Sequence, residues 1–225
     1  MNEKHYMCGR FTLKTDPAAI SNLFHVEIPS QEILPRYNIA PYQMVAAVVG
    51  DKHRSWQFFR WGLIPRWAKD KSVGFKLINA RGETAAHKPS FREAFRERRC
   101  LVLADGFYEW EKTENGKQPF YFSMADGSVM AFAGLWEHWG KETAIDSCTI
   151  LTTTANQLVS PCHDRMPVIL DPEAVDAWLS GGFNQPKLQS LLAPFSAVEM
   201  VRRKVNKTVN NARNETPECL ARVEH

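Results

Sequence analysis

Several features that would assign this 225-residue chain to other protein classes are missing from its sequence. It has no apolar run long enough to cross a bilayer and no visible signal peptide, so we predict no membrane association and no export. Five cysteines without a C-x-x-C pair argue against a disulfide framework or a standard zinc site, and they favour a reducing cytoplasm. Glycine-rich phosphate loops and a nucleophile elbow are also absent. We therefore predict no cofactor and no metal.

A strong net charge is missing as well. The formal net charge is only +3, and this weakly basic balance does not by itself indicate a nucleic-acid partner. Basic residues are nevertheless concentrated in two runs, one of Arg92, Arg96, Arg98 and Arg99 and one of Arg202, Arg203 and Lys204. Such runs usually form solvated faces, and they can also hold phosphates.

What is present is typical of an ordinary globular protein, with 44% hydrophobic and 24% charged residues. No Pro/Gly/Ser-rich linker, internal repeat or low-complexity stretch divides the chain. Many short strand patterns with turn signals and a few helices predict a single α+β domain with an antiparallel β-barrel-like core and flanking short helices. We place this domain at 8–225, after a leader or extension at 1–7.

Local patterns predict individual elements. Asp-Pro pairs predict two helices, over 17–24 and 172–179. A capping-box spacing at Ser90 predicts a helix that ends near Arg99, and Leu77-Ile78 looks like the end of a strand. Asn115-Gly116 is typical of a hairpin turn. The strand predictions on which the fold depends cover 44–49, 55–61, 100–104 and an edge strand within 198–205.

Cys8 directly follows Met7 and can therefore become an N-terminal residue. Once Met1 to Met7 is gone, Cys8 carries a free α-amine, with a reference pKa of roughly 8, next to its thiol. Such a pair can close a thiazolidine on an aldehyde, or it can serve as a hydrolytic nucleophile with the amine as base. The alternative is that Cys8 is a small buried apolar residue.

Four groups at strand ends or in rigid loops complement one another chemically: Cys8, Asn79, Glu109 and His163. Together they supply a nucleophile, an amide, a carboxylic acid and a base, which is the set that covalent chemistry on a carbonyl requires. The spacing alone leaves open whether they meet in one site.

Six motifs in a fixed order carry a resemblance to a known family. They are Met7-Cys8-Gly9-Arg10-Phe11, Arg36-Tyr37-Asn38-Ile39-Ala40-Pro41, Trp61-Gly62-Leu63-Ile64-Pro65, Ile78-Asn79-Ala80-Arg81-Gly82-Glu83-Thr84, Ala104-Asp105-Gly106-Phe107-Tyr108-Glu109-Trp110 and His163-Asp164-Arg165-Met166-Pro167. With these motifs, nearly the whole chain from Met7 resembles the SOS-response-associated peptidase (SRAP) family.

The resemblance implies a single α+β domain around a barrel-like core that binds single-stranded DNA and captures abasic sites. It makes Cys8 the crosslinking nucleophile, which forms a thiazolidine with the ring-opened sugar after Met7 is removed. It implies that Glu109 assists ring opening, that His163 acts as acid or base on the sugar oxygens, and that Asn79 holds the amine and the sugar. It also implies thiol peptidase activity toward the protein's own leader.

The same resemblance assigns the DNA contacts. Arg10, Arg81 and Arg165 are expected to bind phosphates, a task that suits a planar cationic fork. Flanking bases are expected to stack on a surface formed by Trp67, Pro41 and Asn38. Many relatives have a second tryptophan where this chain has Ala68, so the stacking surface is expected to be smaller here.

Two other functions fit parts of the sequence. An N-terminal-nucleophile amidohydrolase would also begin Met-Cys-Gly, but it would need an Asn-Gly oxyanion site, and the Asn-Gly here is the hairpin turn at Asn115-Gly116. A non-catalytic single-strand binder would use the same surface without Cys8. In each case we expect a cytoplasmic monomer, nucleoid-associated when it is bound to DNA.

Overall fold

The computed structural model describes residues 9–114, 116–141 and 144–223, so the predicted leader, Cys8 and Asn115 lie outside the described residues. Thirteen strands and five α-helices form within those ranges. The strands are β1 (Phe11–Leu13), β2 (Arg36–Ile39), β3 (Met44–Val49), β4 (Ser55–Trp61), β5 (Asn79–Arg81), β6 (Arg99–Ala104), β7 (Gly106–Thr113), β8 (Gly116–Met124), β9 (Met130–Trp139), β10 (Ile145–Thr154), β11 (Arg165–Pro167), β12 (Ile169–Leu170) and β13 (Met200–Lys204). The helices are α1 (Pro17–Phe24), α2 (Gly82–Ala85), α3 (Arg92–Glu97), α4 (Pro172–Leu179) and α5 (Gln185–Ser190).

Five strands of the larger sheet close into a barrel. They follow the order β10-β4-β3-β6-β9, and β9 pairs again with β10 to complete the ring. All six residues of β6 are buried, which explains why this strand is a continuous apolar run in the sequence. The predicted α+β domain with a barrel-like core is confirmed. Within this core, β10 pairs in parallel with β4 and with β5, and the other strand pairs of the barrel are antiparallel.

A second sheet packs against the barrel. Its five strands follow the order β13-β8-β7-β1-β2 and pair antiparallel throughout. Phe132 of β9 joins the two layers, because its ring lies 6.0 Å from Phe11 in β1 and 6.2 Å from Phe107 in β7. The two sheets therefore share one hydrophobic core.

The two Asp-Pro helices begin and end where the sequence predicts. The Asp16 carboxylate accepts a hydrogen bond of 2.9 Å from the Ala18 N–H, and the Asp171 carboxylate accepts one of 2.7 Å from the Ala174 N–H. A proline follows each cap, where its missing N–H costs no helical hydrogen bond. These caps fix α1 and α4 on the surface of the barrel.

Two local predictions are wrong. Ser90 is not a helix cap, because Phe91 occupies that position in α3 without a side-chain hydrogen bond, and the helix ends at Glu97. Leu77-Ile78 does not end a strand either. Asn79 is the first residue of β5, where it pairs with Ile150 of β10, so the polar residues of this motif lie within the strand and in the helix after it.

The C-terminal segment packs on the face of the second sheet that carries Tyr108 and Tyr121. β13 is an edge strand, as predicted, and two short 3₁₀ turns at Lys207–Asn210 and Pro217–Leu220 follow it. Val209 and Cys219 from these turns pack on Tyr108 and Tyr121 in a small hydrophobic cluster separate from the main core. The turn at Pro217–Leu220 thus lies beside β2, and the turn at Lys207–Asn210 lies beside β8.

Candidate active site

A groove of about 870 Å³ brings the start of the described chain together with three distant segments. β7 contributes Glu109, the loop before β11 contributes His163, and the C-terminal segment contributes Asn210. The groove is lined by Gly9, Arg10, Pro41, Glu109, Trp110, Glu111, Lys112, Lys117, Ser160, Pro161, Cys162, His163, Asp164 and Asn210. Two predicted catalytic residues and two predicted DNA contacts therefore line the same groove, namely Glu109, His163, Arg10 and Pro41.

Glu109 enters this groove from the middle of the second sheet. It pairs with Phe120 of β8, and its own neighbours in β7 are Tyr108 and Trp110. Only 4% of the residue is exposed to solvent. The strand therefore presents a buried carboxyl group to an open groove, an arrangement suited to proton transfer at a bound carbonyl or sugar oxygen.

The His163 ring is held by its own loop. The backbone N–H of Arg165 donates to Nδ1 at 3.0 Å, and Oδ1 of Asp164 lies 2.9 Å from the same nitrogen. These contacts compete, because Nδ1 accepts in the first and must carry a proton in the second. The Asp164 side chain is 85% exposed, whereas the backbone N–H is fixed, so we assign the neutral ring its proton on Nε2. In this tautomer Nε2 is a donor, and it becomes a proton acceptor only when the ring proton moves to Nδ1 and is donated to Asp164.

Arg10 connects the groove to the C-terminal segment. Its Nη1 donates to the side-chain oxygen of Asn38 at 2.8 Å and to the Val209 carbonyl at 2.7 Å. Its guanidinium lies 6.0 Å from the ring centre of Trp110, and partial burial lowers its pKa. Arg10 therefore lines the groove as a cation, and its hydrogen bonds connect the segment before β1 to β2 and to the C-terminal segment.

Asn38 and Glu215 form further hydrogen bonds between β2 and the C-terminal segment. The N–H groups of Tyr37 and Asn38 donate to Oε1 of Glu215 at 2.5 and 2.8 Å, and Arg36 Nε donates to Oε2 at 2.9 Å. In return, the Asn38 amide donates to the carbonyls of Asn211 and Asn214. Asn38 is fully buried, so we leave it out of the proposed base-stacking surface and describe it as an anchor for the C-terminal segment.

Asn79, Arg81 and Arg165 lie on strands next to β10 rather than in the lining of the groove. Asn79 and Arg81 belong to β5, and Arg165 begins β11 on the other side of β10. Both terminal nitrogens of Arg165 donate to the Glu83 carboxylate, at 2.6 and 2.8 Å, and these bonds are the largest cause of the lowered pKa of Glu83. Arg165 is only 9% exposed, so its contacts here are internal, and Arg81 is the exposed member of the set.

Trp67 and Pro41 are both accessible. Trp67 is 60% exposed, with Nε1 donating to the Pro89 carbonyl at 3.3 Å, and Pro41 lines the groove. Ala68 is buried, and its carbonyl accepts a hydrogen bond of 2.7 Å from Trp139. A second exposed aromatic that the sequence did not single out is Phe75, 43% exposed.

Sequence reasoning missed other groove residues. Trp110, Lys112, Lys117 and Asn210 line it, and the Trp110 Nε1 donates to the Asn210 side chain at 2.7 Å. A signal for the lysines was available, because a hairpin turning at Asn115-Gly116 places Lys112 opposite Lys117. No local pattern indicated that Asn210 would reach the same place.

The predicted nucleophile, Cys8, lies outside the described residues, and its covalent neighbour Gly9 is the first residue that lines the groove. Among residues 9–114, 116–141 and 144–223, no group of three His, Cys, Asp or Glu side chains is arranged to hold a metal ion. No helix in the same ranges has the length and apolar character that crossing a bilayer requires.

Comparison with known proteins adds a family and a set of relatives. Residues 7–212 match the family model described as SOS response associated peptidase (SRAP). The chain is 41% identical over 221 residues to the abasic site processing protein YoqW of Bacillus subtilis (strain 168), covering 95% of this chain and 99% of that protein. It is 33% identical over 229 residues to the abasic site processing protein HMCES of Xenopus tropicalis, covering 86% of this chain and 68% of that protein.

Solved structures share the fold. A crystal structure of a protein from Bacteroides thetaiotaomicron superposes with a TM-score of 0.87 at 24% identity, over 96% of this chain and 100% of the other. Another, from Bordetella bronchiseptica, has a TM-score of 0.78 at 28% identity, over 88% of this chain and 100% of the other. The barrel and the second sheet therefore form an arrangement that other chains adopt over nearly their full length.

Proposed function

Since this chain belongs to the SOS response associated peptidase (SRAP) family, we propose that it processes abasic sites in DNA through a covalent link to Cys8. Relatives that carry the name abasic site processing protein match almost the whole chain. The observation that carries the proposal is the groove, in which Gly9, the residue after Cys8, meets Glu109, His163 and Arg10.

The proposed reaction joins an aminothiol to an aldehyde. The α-amine of Cys8 adds to the C1′ aldehyde of the ring-opened deoxyribose, and loss of one water gives an imine. The thiol then adds to the imine carbon, its proton passes to the nitrogen, and a five-membered thiazolidine closes. The net change is one aldehyde and one aminothiol converted to one thiazolidine and one water, with no oxidant or reductant.

The side chains around the groove supply the proton transfers. Glu109 lines it at 4% exposure and delivers a proton to the sugar ring oxygen as the ring opens. It regains a proton from the C1′ hydroxyl as the aldehyde forms, and it delivers that proton to the departing water. We propose that His163 acts as acid or base on the sugar oxygens through Nε2, which can accept a proton when Nδ1 carries the ring proton and donates it to Asp164. Asn79 keeps the role implied by the resemblance, holding the cysteine amine and the sugar in register.

The DNA partner follows from the same surface. An abasic site has no base to read, so selection must come from aldehyde chemistry and from the missing bulk. Arg10 and Pro41 line the groove, while Arg81 and Trp67 are exposed outside it and are proposed to hold flanking phosphate and base. Arg165 joins them only if a phosphate replaces Glu83. We propose single-stranded DNA as the substrate of a cytoplasmic monomer that associates with the nucleoid when it is bound.

Removal of residues 1–7 is the first step of this proposal, because an internal Cys8 has no α-amine. We propose that the protein cleaves this leader itself, using the Cys8 thiol as nucleophile, as an SRAP-type thiol peptidase. Intact mass of the purified protein checks this step directly, since it identifies the first residue. The unprocessed chain is expected to form no thiazolidine.

The test of the function is a denaturing gel with single-stranded DNA that contains one abasic site. The processed protein should give a heat-stable shifted band whose mass equals protein plus oligonucleotide less one water, and the C8A variant should give none. The matched control is C162A, because Cys162 lines the same groove but has no α-amine.

Each outcome separates two chemistries. Adduct formation by C162A together with its loss in C8A supports the terminal aminothiol. A heat-stable adduct from C8A, or from a chain that still carries Met7, would overturn it. Glutaminase activity that depends on Cys8 would instead favour an N-terminal-nucleophile amidohydrolase.

A further inference from the structure

The basic run at 202–204 is divided by its strand into two different surfaces. Side chains alternate along β13, and cross-strand partners share a face of the sheet. Arg203 pairs with Tyr121, stacks on that ring at 5.1 Å and donates to the Leu220 carbonyl, so it belongs to the C-terminal cluster. Arg202 and Lys204 are exposed and pair with Phe122 and Phe120.

This register puts Arg202 and Lys204 on the same face of the sheet as Glu109. Phe120 pairs with Glu109 on one side and with Lys204 on the other, so the three residues form one row across β7, β8 and β13. Neighbouring strands lie about 4.8 Å apart, which places the Lys204 backbone about 10 Å from that of Glu109. A cation this close to Glu109 can contact the backbone of a strand whose sugar lies over that residue.

Arg202 is also in electrostatic reach of the groove wall. Its guanidinium stacks over the Phe120 ring at 5.0 Å, which leaves donors at its edge for an anion. Burial raises the pKa of Cys162 to about 11, with Glu111 adding to the rise and Arg202 opposing it. Since Cys162 lines the groove beside His163, Arg202 lies at the rim of the space proposed to hold the sugar.

Strand order explains why cations are needed here. β7 is the middle strand of the sheet, with β1 on one side and β8 and β13 on the other. Glu109 and Glu111 of β7 line the groove, and the Glu111 carboxylate repels a phosphate backbone. Arg10, next to β1, is a cation on one flank of these carboxylates, and Arg202 and Lys204 are cations on the other.

We propose that Arg202 and Lys204, the basic edge, bind backbone phosphates of the DNA strand that leaves the abasic site on the β13 side. This inference rests on the proposed function and adds a direction to it, because the strand would cross the sheet from β1 to β13. Arg10 and the basic edge then hold the backbone on both sides, while the baseless sugar lies over Glu109.

The test measures the salt dependence of binding without covalent trapping. The parent is the C8S variant, and the probe is a single-stranded oligonucleotide with one tetrahydrofuran abasic analogue, which has no aldehyde. Fluorescence anisotropy gives Kd at several salt concentrations. Removing one phosphate contact lowers the slope of log K against log salt by about 0.7, so R202Q and K204Q should each lower it by about that amount, and the double variant by about 1.4.

The matched control is R96Q. Arg96 is also exposed and also stacks on an aromatic ring, that of Phe183 at 5.8 Å, but it belongs to α3 and does not line the groove. Its slope should equal that of the parent. K204Q changes an exposed side chain, so it keeps the test valid if R202Q does not fold.

An unchanged slope in the double variant, or an equal loss in R96Q, would overturn the role of the basic edge. The gel assay on the wild-type chain and C8A is scored separately. A slope unchanged from the parent, together with normal adduct formation by the wild type, therefore rejects this inference alone. An adduct that still forms in C8A rejects the proposed function.

Discussion

Two buried glutamates show how differently the barrel and the second sheet use the same side chain. Glu137 of β9 is 3% exposed and pairs with Arg98 at 2.9 Å, and burial raises its pKa although Arg98 opposes the rise. Glu109 of β7 is 4% exposed and lines an open groove. The barrel thus pairs its internal carboxylate with an arginine, while the second sheet places one in the lining of a groove.

The largest expected effect comes from removing the ring that joins the two layers. Phe132→Ala leaves a cavity between β9, β1 and β7, because the ring contacts Phe11 and Phe107. We expect the free energy of unfolding to fall by about 3–5 kcal/mol, as measured by urea denaturation. The control is F183A, whose ring is 46% exposed, and it should change stability far less. Equal effects of the two variants would show that the layers are not coupled through Phe132.

The second-largest expected effect distinguishes the role of Glu109 from that of Glu137. Glu109→Gln removes a proton donor from the groove, and we expect the rate of adduct formation to fall on the order of 10²-fold with little change in the free energy of unfolding. Glu137→Gln removes the charge that faces Arg98, so it should lower stability and leave the rate of the folded fraction unchanged. Single-turnover gels and urea denaturation give the two quantities. If both variants change the same quantity, the contrast between the layers is wrong.

The smallest expected effect is on thermal stability, and it concerns the ion pair between Arg165 and Glu83 beside β10. Hydrogen bonds from Arg165 hold the pKa of Glu83 below its usual value, so the folded state favours the charged form. A lowered folded pKa contributes stability that is present above the unfolded value of about 4.3 and is lost as the pH falls through the folded value. The Tm of the wild type should therefore exceed that of E83Q at pH 7, and the difference should shrink below about pH 4. E32Q, an exposed carboxylate elsewhere, is the control.

Elements set by short-range chemistry could be predicted from the sequence. Helices 17–24 and 172–179 have their predicted bounds because an aspartate cap and a proline act within one turn. Strands 44–49 and 55–61 also have theirs, because an apolar run and an alternating run each match a strand. The Ser90 prediction failed because a four-residue spacing does not say which residue lies at the helix start.

Long-range contacts were beyond local patterns. The parallel pairing of β10 with β4 and β5 depends on the path of the long connection between these strands, and no local pattern in the strands indicates that path. The same holds for Arg165, whose partner Glu83 is 82 residues away, and for Asn38, whose amide holds the C-terminal segment. The resemblance supplied the site residues, and the structure supplied the groove that joins Glu109 to His163.

The bond between Arg10 and Val209 spans 199 residues, so the first and last parts of the polypeptide must both be made before the groove exists. A ribosome that has released β1 still has to translate the acceptor that fixes Arg10. A chain that ends before Val209 therefore has the groove residues next to β1 and in β7 but not the carbonyl that holds Arg10 in place.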